Sequence, residues 1–133
     1  IPVDKFPEAM NIFFELYHKY KKQYPQFELV GLVVCRFVKG SELCALSPTY
    51  GRDSAYISFN NLNTFPHYDD FFKEYEAALL AMDGRPHWGK HNTLTKEQVK
   101  ELYQERFDGF NALRAQLDPT GIFSNDYVRN LFG

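Results

Sequence analysis

Cysteine is scarce: only Cys35 and Cys44 occur in 133 residues. Nine positions apart in a strand-rich region, they could face each other across a hairpin. A lone pair in an otherwise ordinary composition is read instead as two reduced core thiols. Charge of one sign is also missing. Fifteen Lys and Arg against 17 Asp and Glu leave a net charge of -2, and no basic stripe stands out, so nucleic acid is not an expected partner. No apolar run is long enough to span a membrane. No Gly-rich phosphate loop is present. Repeats, low-complexity runs and linkers are lacking, which makes residues 1–133 one unit. Ile rather than Met stands first and no signal-peptide pattern follows, which reads as a trimmed chain.

Aromatic residues are plentiful. Thirteen Phe and nine Tyr in a chain that is 44% hydrophobic supply a real core and argue against disorder. Phe6, Met10, Phe13, Tyr17 and Tyr20 recur at helical spacing, predicting a helix over 6–24 that Pro25 stops. Its basic residues suit a solvated face, with membrane-surface binding as the rival reading. The stretch 27–39 reads as the clearest strand, with Leu29, Gly31, Val33, Cys35 and Phe37 on one face and Val30, Leu32, Val34, Arg36 and Val38 on the other. Shorter strands are predicted near 43–47 and 53–61, the last with Ala55, Ile57 and Phe59 opposite Tyr56, Ser58 and Asn60. Helices are predicted at 67–82, opened by Pro66 and ended by Gly84, at 96–104 behind a Thr95/Gln98 capping box, and at 106–117. Ser124 is placed as the cap of a last helix. The predicted fold class is α+β: an antiparallel sheet of at least three strands packed by helices.

Residue chemistry alone points nowhere decisive. His87 and His91 are four apart, with His67, Asp69 and Asp70 upstream, but Pro86 and Gly89 argue against the regular helix that would align the imidazoles, and no metal site is expected. Ser47 and Ser54 lack a nucleophile elbow, and neither cysteine sits by an evident base. Two features stand out. Arg36 is a cation inside an apolar strand, read either as a side chain that snorkels out or as a charge aimed into a site. The run Arg85-Pro86-His87-Trp88-Gly89-Lys90 concentrates the only Trp, two cations, a His, a Pro and a Gly. It reads as an ordered loop between packed elements, either a structural corner with Trp88 in the core and Lys90 in solvent or part of a site.

Three stretches carry a resemblance. They are Val33-Val34-Cys35-Arg36-Phe37 with Leu46-Ser47-Pro48 and Arg52-Asp53-Ser54-Ala55-Tyr56; Gly84 to Lys90; and Leu113-Arg114 with Leu117-Asp118-Pro119-Thr120-Gly121-Ile122-Phe123, Asn125 and Tyr127. In order and spacing they resemble the C-terminal end of the FAD-linked aldonolactone and alditol oxidases (gulonolactone oxidase-like, in the vanillyl-alcohol-oxidase superfamily). The resemblance implies that the chain is the C-terminal part of a substrate (cap) domain whose N-terminal FAD-binding domain lies outside it. It also implies a sugar-lactone, polyol or related alcohol as substrate and FAD as cofactor, bound mostly by the missing domain. The isolated chain would then be inactive. Arg36 falls on the Arg of the family's Glu-x-Arg strand, and Lys90 on the Lys of its His-Trp-x-Lys segment; both are expected near substrate and flavin. Val34 occupies the Glu position and cannot accept a proton. His87 is the nearby candidate base, with a packing role equally open, and Asn125 is a candidate flavin contact or a helix cap. A bulkier apolar alcohol as substrate, or a non-catalytic binding domain that keeps the cap fold, are the alternatives.

Overall fold

The chain is described from a computed structural model, over residues 1–29, 31–59 and 66–133. After a short 3₁₀ turn at Val3–Lys5 come helix α1, Phe6–Gln23, and strand β1, Val33–Val38. Strand β2, Ser54–Phe59, follows, then helices α2, Tyr68–Ala81, α3, Lys96–Tyr103, α4, Glu105–Leu117, and α5, Asp126–Phe132. The class is α+β, as the sequence predicts. Among the described residues no helix is long and apolar enough to cross a membrane.

β1 and β2 pair antiparallel, with Val34 opposite Ser58, Arg36 opposite Tyr56 and Val38 opposite Ser54. Strand alternation then gives the sheet two unlike faces. One face packs on helices. Phe37 meets Phe6 of α1 edge-on at 5.0 Å between ring centroids, and Cys35 Sγ lies 4.0 Å from Met10 Sδ. Ile57 and Phe59 join a core of Phe13, Tyr20, Phe27, Phe71 and Tyr75 built by α1 and α2. The other face carries Val34, Arg36, Tyr56 and Ser58. A second core, around Val99, Tyr103, Phe107, Leu131 and Phe132, joins α3, α4 and α5. Leu46, Leu94 and Trp88 tie it to the preceding loops.

Several boundaries differ from the sequence reading. The expected third strand at 43–47 does not form, and the sheet of the described residues has two strands. Ser47 N–H donates to Cys44 O and Tyr50 N–H to Ser47 O, closing successive turns, and the Ser47 hydroxyl accepts from Thr49 N–H. Of the apolar run, only Leu46 is buried, while Leu43 is almost wholly exposed. A returning strand would have needed alternate side chains to bury. Cys44 is exposed and free rather than a core thiol, and Cys35 is half-buried and free. The first strand is shorter than 27–39; Gly31 takes φ 107°, outside the extended region. Val30 and Asn60, assigned to strand faces above, fall outside the described residues. Helix α2 begins after His67, at φ 65°, rather than at Pro66, and α5 is capped by Asn125 rather than Ser124. The Thr95/Gln98 capping box is present, with both reciprocal hydrogen bonds.

Candidate functional site

The 84–90 loop is built before it is functional. α2 ends with Asp83 in the left-handed region at φ 61°, and Gly84 N–H donates to Leu79 O at 2.7 Å. A Cβ on Gly84 would sit 2.5 Å from that same carbonyl, so the turn requires glycine. The next two anchors reach the 46–50 loop. Arg85 Nη1 donates to Tyr50 O at 2.9 Å and Pro48 O at 3.3 Å, and Trp88 Nε1 donates to Leu46 O at 2.7 Å. The Trp88 ring packs on Tyr103 and Phe132, each at 5.5 Å. Trp88 is thus the core plug of the structural reading, and Arg85 is a clamp. Both hold the backbone that presents His87 and Lys90.

Clamping the loop leaves a groove of about 620 Å³ between the sheet, helix α2 and residues 84–92. Arg36 and Val34 from β1, Tyr56 from β2, and His87 and Lys90 from the loop all line it. Arg36, His87 and Lys90 are exposed at this surface. Neither Arg36 nor Lys90 makes an ion pair with a carboxylate among the described residues, so both cations face the groove rather than a neutralising partner. The Tyr56 ring lies 6.2 Å from that of His87, and burial raises the Tyr56 pKa, keeping the phenol protonated. His87 is turned back on its own loop. Gly89 N–H donates to its Nδ1 at 3.1 Å, and Lys90 N–H to its carbonyl at 2.9 Å. With Nδ1 accepting, the proton of the neutral ring sits on Nε2, and His87 meets the groove as a donor.

Sequence reasoning missed four groove residues: Tyr56, Glu76, His91 and Asn92. Strand alternation places Tyr56 opposite Ala55 and Ile57, but only the register with Arg36 brings it to the site. Glu76 is engaged by Thr93, whose N–H lies 3.1 Å from both carboxylate oxygens. His91, weighed above as a ligand, packs against Phe72 at 4.7 Å. Asn92 Nδ2 donates to Lys90 O at 3.2 Å and Tyr127 OH at 3.0 Å, while its buried Oδ1 has no partner among the described residues. Asn125 lies outside the groove lining. Its Oδ1 accepts from Val128 N–H at 2.9 Å and caps α5. Of the four residues that the resemblance nominates, the fold brings together Arg36, His87 and Lys90 and leaves Asn125 apart.

Fold and groove together define an α+β domain that presents two unneutralised cations, a phenol and an imidazole to a small-molecule-sized cleft. The chain belongs to the D-arabinono-1,4-lactone oxidase family, whose profile matches residues 1–131. It is 33% identical to the L-gulonolactone oxidase of Bos taurus over 141 residues, covering 99% of this chain and 29% of that protein. An L-gulono-1,4-lactone dehydrogenase of Mycobacterium tuberculosis is 38% identical over 88 residues, 66% of this chain and 20% of that protein. An alditol oxidase of a Streptomyces species is 36% identical over 86 residues, 65% of this chain and 20% of that protein. The chain therefore spans under a third of the length of these relatives.

Proposed function

We propose that this chain is the C-terminal part of the substrate (cap) domain of an FAD-dependent oxidoreductase acting on a CH–OH group of a sugar lactone or polyol. The observation that carries the reading is the convergence of Arg36, His87 and Lys90 on one groove from two separate elements. The family relation supplies the chemical class. FAD, held mostly by a separate N-terminal domain, would serve as hydride acceptor. The donor set here fits the edge of such a ring and nothing larger: exposed cations on a rigid strand and a clamped loop, without a phosphate cradle.

In this reading Arg36 and Lys90 place fixed positive charge where negative charge develops as the alcohol is oxidised. Such charges need no reorganisation during the reaction and act most strongly where water is excluded. Their rigidity follows from strand pairing for Arg36 and from the Arg85 and Trp88 anchors for Lys90. His87 Nε2–H and the Tyr56 hydroxyl orient the substrate oxygen as donors. For His87 to take up the alcohol proton, the ring must first release the Gly89 N–H or exchange tautomers, so its orienting role is the one the geometry supports.

A second reading keeps the chemistry and changes the substrate. Val34 lines the groove beside Arg36 and removes a polar contact, which favours a bulkier apolar alcohol. The full-length protein separates the two. Arg36→Ala and Lys90→Ala are each expected to lower turnover by about 10²–10³-fold, the scale for one preorganised charge-stabilising donor. Lys22→Ala, on the exposed end of α1, should leave turnover unchanged. Val34→Glu should shift preference towards polyols. Turnover unaffected by Arg36→Ala would end the proposal; a wild-type preference for long-chain over polyhydroxy alcohols would select the second substrate class.

A further inference from the structure

A second cavity of about 550 Å³ shares Arg85 with the groove, and Lys90 is not in its lining. Its lining brings together three guanidinium groups, Arg52, Arg85 and Arg106, from three different elements. Two of them flank one ring: Arg85 Cζ lies 5.5 Å and Arg106 Cζ 5.7 Å from the centroid of Tyr103. Arg106 also covers Tyr50 at 4.4 Å. None of the three makes an ion pair with a carboxylate among the described residues. They spend part of their donor capacity on backbone oxygens. Arg52 Nη2 donates to Asp83 O, Arg85 to Pro48 and Tyr50, and Arg106 Nε to Tyr103 O. Two carboxylates also line the cavity. That of Asp83 is taken by Lys5 at 3.1 Å, and Glu101 is exposed on α3.

Among the described residues, one lining donor, Arg52 Nε, is buried without a partner, and so is the hydroxyl of Tyr103, the ring that Arg85 and Arg106 flank. Buried donors without acceptors are costly, and three neighbouring cations repel one another; Asp83, which also pairs with Lys5, offsets that repulsion only in part. The strain registers electrostatically. Burial, and then the neighbouring guanidiniums Arg52 and Arg106, lower the pKa of Arg85. Burial is likewise the main cause of the lowered Arg52 pKa. Both remain charged, because guanidinium does not deprotonate in proteins.

We propose that this Arg52–Arg85–Arg106 cavity is a binding site for a small oxyanion, a phosphate or carboxylate group. An oxyanion offers acceptors for the idle N–H forks and more negative charge than Asp83, shared with Lys5, supplies to three cations. Guanidinium forks match the geometry of both groups. Arg85 also lines the groove, so a bound anion would contact a residue that anchors the loop carrying Lys90.

The test is equilibrium binding of inorganic phosphate and of acetate to the full-length protein, read by thermal unfolding against chloride at matched ionic strength. The variant is Arg106→Gln, since Arg106 touches the site from α4 and makes no contact to the 46–50 backbone oxygens that hold the loop. Wild type is expected to gain midpoint temperature with at least one of the two anions. Arg106→Gln should weaken that binding by about 10- to 100-fold, the loss expected on removing one charge-assisted partner. A response to phosphate alone identifies a phosphate site, and a response to both a general oxyanion site. Phosphate also stabilises proteins without binding them. A rise of equal size in wild type and Arg106→Gln is that general effect and overturns the proposal, as does the absence of any gain over chloride. Because the readout is unfolding rather than turnover, failure here leaves the oxidoreductase reading untouched.

Discussion

Glu74 on α2 joins the two main helices through its carboxylate. Lys19 Nζ donates to it at 2.5 Å and the Tyr20 hydroxyl at 3.1 Å, both from α1. The hydrogen bond from Lys19 is the main cause that holds the Glu74 pKa below the ordinary carboxylate value, with Tyr20 assisting. A carboxylate held below its unfolded value stabilises the fold once the unfolded group is ionised, and that contribution is lost as pH falls through the folded value. Glu74→Gln is therefore expected to reduce stability at neutral pH. The difference from wild type should close as pH falls through the folded value, where both states become protonated. Urea unfolding of both proteins across that range checks it; a gap that persists in acid would mean the side chain acts through packing instead. The pair is exposed enough that the effect at neutral pH should be small. Salt should shrink it further.

At the scale of elements, the turn after α2 is the least replaceable piece. Gly84→Ala would drive a Cβ to 2.5 Å from Leu79 O, which is backbone and cannot swing aside. The expected cost is about 1–3 kcal/mol, the range for forced overpacking, measurable by chemical denaturation. A neutral result would show that α2 can unwind by a turn without penalty. Helices were legible in the sequence because each signals locally. Phe13 and Tyr20 mark the buried side of α1 by period, and Thr95 with Gln98 marks the start of α3 by chemistry. Strands were less so. The run 43–46 has the apolar composition of a strand, yet its hydrogen bonds close turns, because pairing depends on a partner that composition does not name. The capping side chain of α5 shows a subtler ambiguity. Ser124 and Asn125 are both good caps, and only the Asn125 carbonyl reaches Val128 N–H.

At the scale of the whole molecule, the groove presents Arg36, His87 and Lys90 at an exposed surface. The isolated chain should hold free FAD no more tightly than ~mM, as a few unassisted contacts allow. Fluorescence titration showing sub-micromolar affinity would mean that the chain carries a flavin site of its own. Arg36 and Lys90 were legible as candidates because a cation in an apolar strand and a cation on a braced loop are each odd where they stand. That they meet was not legible from spacing, since 54 positions separate them and the meeting depends on the Arg85 and Trp88 anchors. Those anchors have an asymmetry with an evolutionary side. In the hydrogen bonds of the clasp, the loop contributes specific side chains, whereas the receiving segment contributes the carbonyl oxygens of Leu46, Pro48 and Tyr50. Any residue supplies a carbonyl. As far as these hydrogen bonds are concerned, Pro48 and Tyr50 are free to drift in sequence, while Leu46 is held by its burial beside Trp88. Arg85 and Trp88 are not free to drift, and a lineage that lost either would have to find another way to keep Lys90 in place.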